Sequence, residues 1–183
     1  VARKIVDTSG IELSGVVDTN KRATRKFRKY RVQSISDTEQ CDTAIIAVPP
    51  IPHLRYELFK DVISTGIRRV MFEKPVAASY SESLMILGLA KDEGVTAFVG
   101  HTPWYNTGLP FVQTLTEHIG IRRGFFLRTT TSPVGAHGGS HLDLMTHDLA
   151  LYARFFTDRF ENGMEVEHAE FVSGGLHMRL TDD

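Results

Sequence analysis

The sequence VMFEKPVAAS, residues 70–79, holds a short apolar run that stops abruptly at a charged pair. Residues 70–72 have the composition of a buried strand, and Glu73, Lys74 and Pro75 follow without a spacer. In open parallel sheets, ligands bind just beyond the carboxyl ends of the strands. A solvated turn with a proline stop is the simpler explanation of Glu-Lys-Pro alone, so the rest of the chain decides between the two.

The segments around this stretch alternate between strand and helix patterns. Predicted strands lie at residues 11–18, 41–48, 68–73 and 95–100, and predicted helices at residues 20–30, 52–65 and 79–93. Such alternation predicts βαβ units and an α/β fold with a mostly parallel sheet, whose strands are buried on both faces. The order of elements therefore favours a functional strand end at Glu73.

The second half of the chain has a different pattern. Predicted helices lie at residues 105–119 and 141–156, a longer strand at 121–131, and a hairpin at 166–173 and 176–181 around Gly174–Gly175. We therefore expect an α+β domain with a mainly antiparallel sheet after the α/β domain.

Composition excludes several classes of protein. The 183 residues are 42% apolar and 23% charged, which suits a packed core. The net charge of −1 gives no attraction to nucleic acid or anionic lipid. A single cysteine excludes a disulfide framework, and no apolar run reaches the length of a membrane span or a signal peptide. We expect a cytoplasmic protein with no nucleic-acid and no membrane partner.

A second polar motif lies in HLDLMTHDLAL, residues 141–151. Asp143 and His147 are four residues apart and share one face of a helix. They form either an ordinary surface pair or a carboxylate that orients a histidine proton acceptor. The histidines and aspartates here are numerous, but no HExxH-type spacing occurs, so we predict no metal site.

Four motifs in order carry a resemblance to a known family. They are the strand ending at Asp18, AVPPIPH at 47–53, FEKP at 72–75 and DLMTHD at 143–148. Together they resemble the Gfo/Idh/MocA family of NAD(P)-dependent oxidoreductases over most of the chain. The resemblance implies a Rossmann-like dinucleotide-binding domain at residues 1–103 and an α+β substrate and oligomerisation domain at 104–183. VGHTPWYN at 99–106 is similar to members that act on sugars or sugar nucleotides.

The resemblance implies a dehydrogenase that moves a hydride between NAD(P) and a secondary alcohol of a sugar, cyclitol or sugar nucleotide. Lys74 would supply positive charge near the developing alkoxide, and His147 would accept the hydroxyl proton. Asp143 would hold substrate hydroxyls or fix the imidazole. The alternative is a non-catalytic sensor or regulator of the same fold. Retention of all three residues favours the enzyme.

Two groups of residues are expected to bind the cofactor. Asp18 stands where a dinucleotide fold places its ribose-binding acid, which favours NAD, although an aspartate that caps the following helix is the alternative. The segment KRATRKFRKYR, 21–31, reads as a solvated helix face, but Lys21 or Arg22 could reach a 2′-phosphate and permit NADP. Residues expected on the nicotinamide side are Val48, Pro49, His53, Glu73 and Lys74.

The chain also departs from the family pattern. The family often has Arg at the position of Trp104, Pro at that of Thr107 and an acid at that of Ala150. No G-x-G-x-x-G turn precedes Asp18, and Val1–Ser9 reads as the helix that follows such a turn. We therefore expect a longer natural polypeptide, or a sequence that omits both ends of the fold.

Self-association is expected from the second half. The strands predicted at 121–131, 166–173 and 176–181 would form a sheet with one face uncovered. Phe125, Phe126 and Leu127 cannot all point inward on a strand, because side chains alternate between its two faces. An exposed apolar face of this kind marks an interface, so we expect a homo-oligomer, a dimer or tetramer.

Overall fold

A computed structural model describes residues 2–38, 41–119, 139–155, 165–172 and 175–181 of the chain. The chain divides into two compact units. Unit 1 consists of Val1–Phe72 with Val76–Phe98, and unit 2 consists of Glu73–Pro75 with Val99–Asp183. The functional domains predicted at 1–103 and 104–183 stay a prediction, since compactness assigns no role to either unit.

A three-stranded sheet has the order β1-β2-β3, with β1 at Thr43–Ile46, β2 at Arg69–Phe72 and β3 at Thr96–Val99. Strands β1 and β2 are parallel, and Thr43 lies opposite Arg69 in their register. The parallel α/β architecture predicted from the alternating pattern is confirmed, although each strand is shorter than its apolar run. Helix α1 spans Ala2–Val6.

Two helices, α2 at Leu54–Ser64 and α3 at Tyr80–Asp92, supply most of the remaining core of unit 1. Phe59 of α2 meets Phe72 of β2 edge to face, with ring centroids 5.3 Å apart. The buried apolar residues are Ile46, Phe59, Val62, Ile63, Ile67, Val70, Phe72, Ala77, Ile86, Ala90 and Val95. Burial of this set anchors both helices to the sheet and so fixes the loops that leave it.

Local signals mark the helix ends as predicted. Ser79 precedes α3, and its hydroxyl accepts a hydrogen bond of 3.2 Å from the Glu82 amide. Gly66 follows α2 with φ of 92°, and Gly94 follows α3 with φ of 62°. Side chains with a Cβ rarely adopt this left-handed backbone, so glycine is needed at both positions.

The strand predicted at Ile11–Asp18 is wrong. Its only pairing within the described residues is an isolated bridge between Val16 and Arg31. The apolar run is only partly buried, since Ile11 is 56% exposed and Val17 45% exposed while Leu13 and Val16 are half-buried. A run of apolar residues forms a strand only where a neighbouring ladder and a core receive it, and within the described residues this segment has one bridge and partial burial.

The α-helix predicted at Asn20–Tyr30 is also corrected. Residues Ala23–Tyr30 form a 3₁₀ helix with non-helical angles at Phe27. Thr24, Phe27 and Tyr30, three residues apart, are its buried or half-buried positions. A 3₁₀ helix has three residues per turn, so this spacing places them on one face. The seven basic residues of 21–31 are all exposed, as predicted for a solvated face.

Unit 2 contains a 3₁₀ helix at Thr102–Tyr105, helix α4 at Leu109–Ile119 and helix α5 at Gly139–Phe155. Strand β4 at Glu165–Val172 pairs antiparallel with β5 at Gly175–Thr181, with an irregularity between Val166 and His168. The predicted hairpin is therefore present, and the predicted strand at 121–131 lies outside the described residues. A larger antiparallel sheet stays a prediction.

In the part of the chain that the structure describes, none of the helices is both long and apolar enough to cross a membrane.

Candidate active site

The charged segment after β2 belongs to unit 2. Glu73 directly follows Phe72, and Glu73, Lys74 and Pro75 are all half-buried. The peptide bond between Lys74 and Pro75 is cis. The ammonium-bearing side chain predicted to act on substrate therefore lies in a partly enclosed environment.

Helix α5 carries the second predicted pair. His147 is half-buried in the middle of this helix. Asp143 lies one turn earlier, and its side chain lies outside the described part of the structure. The spacing of four residues along a helix puts the two positions on the same face. Any contact between the carboxylate and the imidazole stays a prediction.

A second imidazole lies against His147. His101 comes two residues after the end of β3, and its ring centroid lies 5.7 Å from that of His147. The interplanar angle is 82°, so the two rings meet edge to face. The Nδ1 atom of His101 is buried and has no hydrogen-bond partner among the described residues. This close pair within unit 2 was not predicted from the sequence.

The charges around His101 place the other predicted residues nearby. Burial lowers the pKa of His101, and the charge of His147 lowers it further. Glu73 raises the same pKa, and Lys74 lowers it. Because these interactions weaken with distance, the segment after β2 and helix α5 both come near His101. Glu73 and Lys74 on one segment and His147 on another thus all act electrostatically on one imidazole.

Arg154 links helix α5 to the segment that follows His101. Its guanidinium donates a hydrogen bond of 2.7 Å to the carbonyl oxygen of Trp104. The same guanidinium lies over the Trp104 ring, 5.3 Å from the centroid. A hydrogen bond and a cation–π contact from one side chain hold the 3₁₀ helix Thr102–Tyr105 against α5. The backbone on both sides of the histidine pair is therefore restrained.

The residues predicted to bind the ribose lie in unit 1. Asp18 is exposed, and its Oδ1 accepts a 2.7 Å hydrogen bond from the Asn20 amide. The Asn20 side chain in turn accepts a 3.0 Å hydrogen bond from the Arg22 amide. Lys21 and Arg22 have exposed side chains. These contacts form a local turn of the capping type, and a role of Asp18 in ribose binding stays a prediction.

The residues predicted on the nicotinamide side follow β1. Val48 is half-buried, Pro49 is exposed, and the exposed His53, with φ of 64°, directly precedes α2. Sequence reasoning did not find what holds this segment. The side chain of Arg55 is 1% exposed. Its Nε donates a hydrogen bond of 2.9 Å to the carbonyl oxygen of Val48. One of its terminal nitrogens donates a hydrogen bond of 3.3 Å to the carbonyl oxygen of Val76.

A spacing signal could have identified Arg55. It precedes Phe59 by four residues and Val62 by seven, which is the spacing of a buried helix face. An arginine on such a face has to satisfy its donors internally. Arg55 does so with the carbonyl groups after β1 and after Pro75, and it thereby fixes both chain segments.

An open cleft of about 400 Å³ lies at the other ends of the strands. It is lined by Asp42, Gly66, Arg68, Arg69, Gly94 and Thr96. These residues precede or begin the strands, so the cleft is separate from the segments that follow them. Among the described residues, no group of three or more histidine, cysteine, aspartate or glutamate side chains is arranged to hold a metal ion.

Comparison with known proteins gives a family and a fold. The model of the Gfo/Idh/MocA oxidoreductase family, described as having an NAD-binding Rossmann fold, matches residues 1–101. No curated protein matches the chain. Many solved structures do match it.

Three solved structures illustrate the likeness. A protein from Sinorhizobium meliloti 1021, titled "putative myo-inositol dehydrogenase", has a TM-score of 0.68 and 19% identity, over 86% of this chain and 51% of its own. An oxidoreductase from Bacillus cereus has a TM-score of 0.65 and 18% identity, over 91% and 51%. An NAD-binding protein from Listeria innocua has a TM-score of 0.61 and 21% identity, over 82% and 48%. The chain thus spans about half the length of these proteins, and the likeness shows the fold.

Proposed function

The chain belongs to the Gfo/Idh/MocA family of oxidoreductases, and from that premise we propose that it acts in hydride transfer between NAD(P) and a secondary alcohol. The proposal is supported by the edge-to-face contact of His147 with His101 and by the effect of the Glu73 and Lys74 charges on the same imidazole. Oxidation of an alcohol needs a proton acceptor and positive charge near the developing alkoxide. This group of side chains contains both.

The roles proposed for the residues follow from their chemistry. The Lys74 ammonium stabilises negative charge on the substrate oxygen as the hydroxyl proton leaves, in a partly desolvated site where such charge stabilisation is strong. His147 accepts that proton, because an imidazole changes its charge near neutral pH. Asp143, one helical turn away, holds substrate hydroxyl groups or fixes the imidazole. The half-buried setting of Lys74 and His147 limits the access of water.

The residues of unit 1 suit part of a dinucleotide. The Asp18 carboxylate is exposed at a turn that its own hydrogen bond keeps rigid, as an acceptor for ribose hydroxyls requires. Arg55 holds the Val48 carbonyl, so Val48, Pro49 and His53 form a fixed surface for the nicotinamide side. The nicotinamide, when bound, accepts or donates the hydride. We assign no residue of this chain to the pyrophosphate, because it contains no glycine-rich turn before Asp18.

Two features bear on the choice between NAD and NADP. Asp18 favours NAD, since a carboxylate accepts hydrogen bonds from both ribose hydroxyls and repels a 2′-phosphate. Lys21 and Arg22 are exposed three and four residues later and are free of acidic partners among the described ion pairs. They would attract a 2′-phosphate. We therefore propose that either dinucleotide is accepted.

The substrate class proposed is a polyol, meaning a sugar, a cyclitol or a sugar nucleotide. The likeness to a Sinorhizobium meliloti protein titled as a putative myo-inositol dehydrogenase supports including cyclitols in this class. A polyol offers several hydroxyl groups, which matches a site with a lysine after β2 and a histidine and a carboxylate position on helix α5. The half-buried Glu73 adds another acceptor.

A substrate screen tests the proposal. The full natural polypeptide is assayed for reduction of NAD and of NADP with a panel of cyclitols, sugars and sugar nucleotides, and for the reverse reaction with the matching ketones. We expect turnover with at least one polyol, abolished by Lys74→Met. Dinucleotide binding without turnover of any panel member would contradict the proposed reaction and support the non-catalytic sensor instead.

A further inference from the structure

His101 has no role in the function proposed above, yet its ring meets the ring of His147 edge to face. We propose that His101 is a positioning residue of this site, whose ring holds the His147 ring in one orientation by edge-to-face contact. The expected effect of His101 on turnover rests on the function proposed above. The contact itself and its effect on the two imidazoles can be tested without any substrate.

The geometry suits a specific aromatic contact. Ring centroids 5.7 Å apart with an interplanar angle of 82° fall in the range of edge-to-face pairs, in which the positive edge of one ring meets the negative face of the other. Such a contact restricts rotation of the His147 side chain. A proton acceptor works only when its lone pair is aimed at the proton, so restricted rotation favours catalysis.

The backbone that carries His101 is held firmly enough to transmit this restraint. Arg154 lies on the same helix as His147, two turns further along, and it binds the Trp104 carbonyl and covers the Trp104 ring. Two contacts therefore join helix α5 to the 3₁₀ helix Thr102–Tyr105. One is the contact between the two histidines, since His101 directly precedes the 3₁₀ helix and His147 lies within α5. The other is the contact between Arg154 and Trp104.

The charge state of His101 suits the role. Burial and the charge of His147 both lower the pKa of His101, which favours the neutral form of His101. A neutral aromatic ring beside an imidazolium is favourable, whereas two imidazolium ions would repel each other. The other charges that act on His101 come from the segment after β2, where Glu73 raises its pKa and Lys74 lowers it.

Kinetics of three variants test the proposal in the full polypeptide. His101→Ala removes the ring and should lower kcat by about 10- to 100-fold through misalignment of His147, with the Kd of the dinucleotide unchanged. His101→Phe keeps an aromatic ring and should restore most of kcat. His118→Ala removes an exposed histidine of α4 and should change neither quantity. If His101→Phe is as impaired as His101→Ala, the ring contact is not what His101 contributes.

NMR titration of the histidine side chains gives a readout that needs no activity. In the wild type we expect His101 to titrate below the usual range of a histidine side chain, and His147→Gln should move the His101 titration toward higher pH. An unchanged His101 titration in His147→Gln would overturn the proposal. If no substrate is turned over while the His101 titration moves as expected, the proposed reaction fails and the histidine contact stands.

Discussion

Arg55 is a charged side chain in the interior of unit 1, where it is 1% exposed. It bonds to the carbonyl groups of Val48 and Val76, in the segments after β1 and after Pro75. Arg55→Met would leave both carbonyls without these donors. Each buried unsatisfied group costs about 1–3 kcal/mol, so we expect the free energy of unfolding to fall by about 2–4 kcal/mol.

Denaturant unfolding at equilibrium measures this loss. Arg25→Met is the matched control, because Arg25 is exposed on the 3₁₀ helix and its replacement should change stability by less than about 0.5 kcal/mol. Equal stability of Arg55→Met and Arg25→Met would show that Arg55 does not hold the two segments together.

Because the pKa of His101 is lowered, we expect the free energy of unfolding to depend on pH. This pKa is lowered in the folded state, so the unfolded chain binds a proton first as the pH falls below about 6.5. Proton uptake by the unfolded chain lowers the stability of the fold, and this loss begins below that pH and is absent above it. The wild type should therefore lose more stability than His101→Phe between about pH 8 and pH 5.

The measurement is the free energy of unfolding of both proteins across that range. The difference between the two curves reports the titration of His101 together with its coupling to the neighbouring His147, since the remaining titrating groups are shared. Parallel curves would mean that His101 has the same pKa in the folded and unfolded states.

At this scale the sequence suggested Lys74 and His147 as candidate site residues but not His101 or Arg55. Lys74 and His147 belong to short motifs whose chemistry can be read locally. His101 and Arg55 acquire their surroundings from tertiary neighbours, the first from helix α5 and the second from two separate loops. Spacing within one helix could have identified Arg55, but nothing local to residue 101 predicts a histidine partner 46 residues away.

At the scale of elements, one glycine within helix α3 and one glycine just after it should respond to alanine substitution with opposite changes in stability. Gly94 has φ of 62°, where a Cβ is strained, so Gly94→Ala should destabilise the protein by about 1–2 kcal/mol. Gly88 lies within α3 with open space around its missing Cβ. Gly88→Ala should stabilise the protein by about 0.5–1 kcal/mol, because alanine loses less backbone entropy in a helix.

Thermal and denaturant unfolding of the two variants check this pair. Each variant is the control for the other, since both add one methyl group at positions where nothing lies within 4 Å. A loss of stability in Gly88→Ala equal to that in Gly94→Ala would refute the conformational explanation.

Elements with local start and stop signals were predicted well, and elements that depend on partners were not. Ser79 and Gly94 bound α3 in both sequence and structure, because capping is decided within a few residues. The run Ile11–Asp18 looked like a strand but has no ladder beyond one bridge at Val16. Residues 20–30 were predicted as an α-helix, but the three-residue spacing of Thr24, Phe27 and Tyr30 suits the observed 3₁₀ helix.

At the scale of the whole molecule, we predict a homo-oligomer. Among the described residues, helix α4 exposes Phe111 by 73% and Ile119 by 64%, with Val112 and Leu115 also exposed. Large apolar side chains clustered on a surface favour burial against another copy. Sedimentation velocity at micromolar concentration should give a dimer or tetramer, and a monomer across that range would contradict the prediction.

The parallel α/β fold and the family followed from the sequence because they depend on the order of elements and motifs along the chain. The domain boundary, the site residues and the substrate remain predictions, since they depend on contacts and on ligands. Asp143 shows the limit most clearly. Its spacing from His147 is fixed by the helix, but the contacts of its side chain are not among those described.

We propose that Lys74 and His147 carry out chemistry on a substrate and do not merely bind the cofactor. The most direct test compares kcat with the Kd of the dinucleotide in His147→Ala, with His118→Ala as the control. We predict that His147→Ala lowers kcat by about 10²- to 10⁴-fold, as loss of a positioned base does, while the Kd stays within about twofold of the wild type. A variant that keeps full turnover, or loses dinucleotide binding in proportion to turnover, would contradict the account.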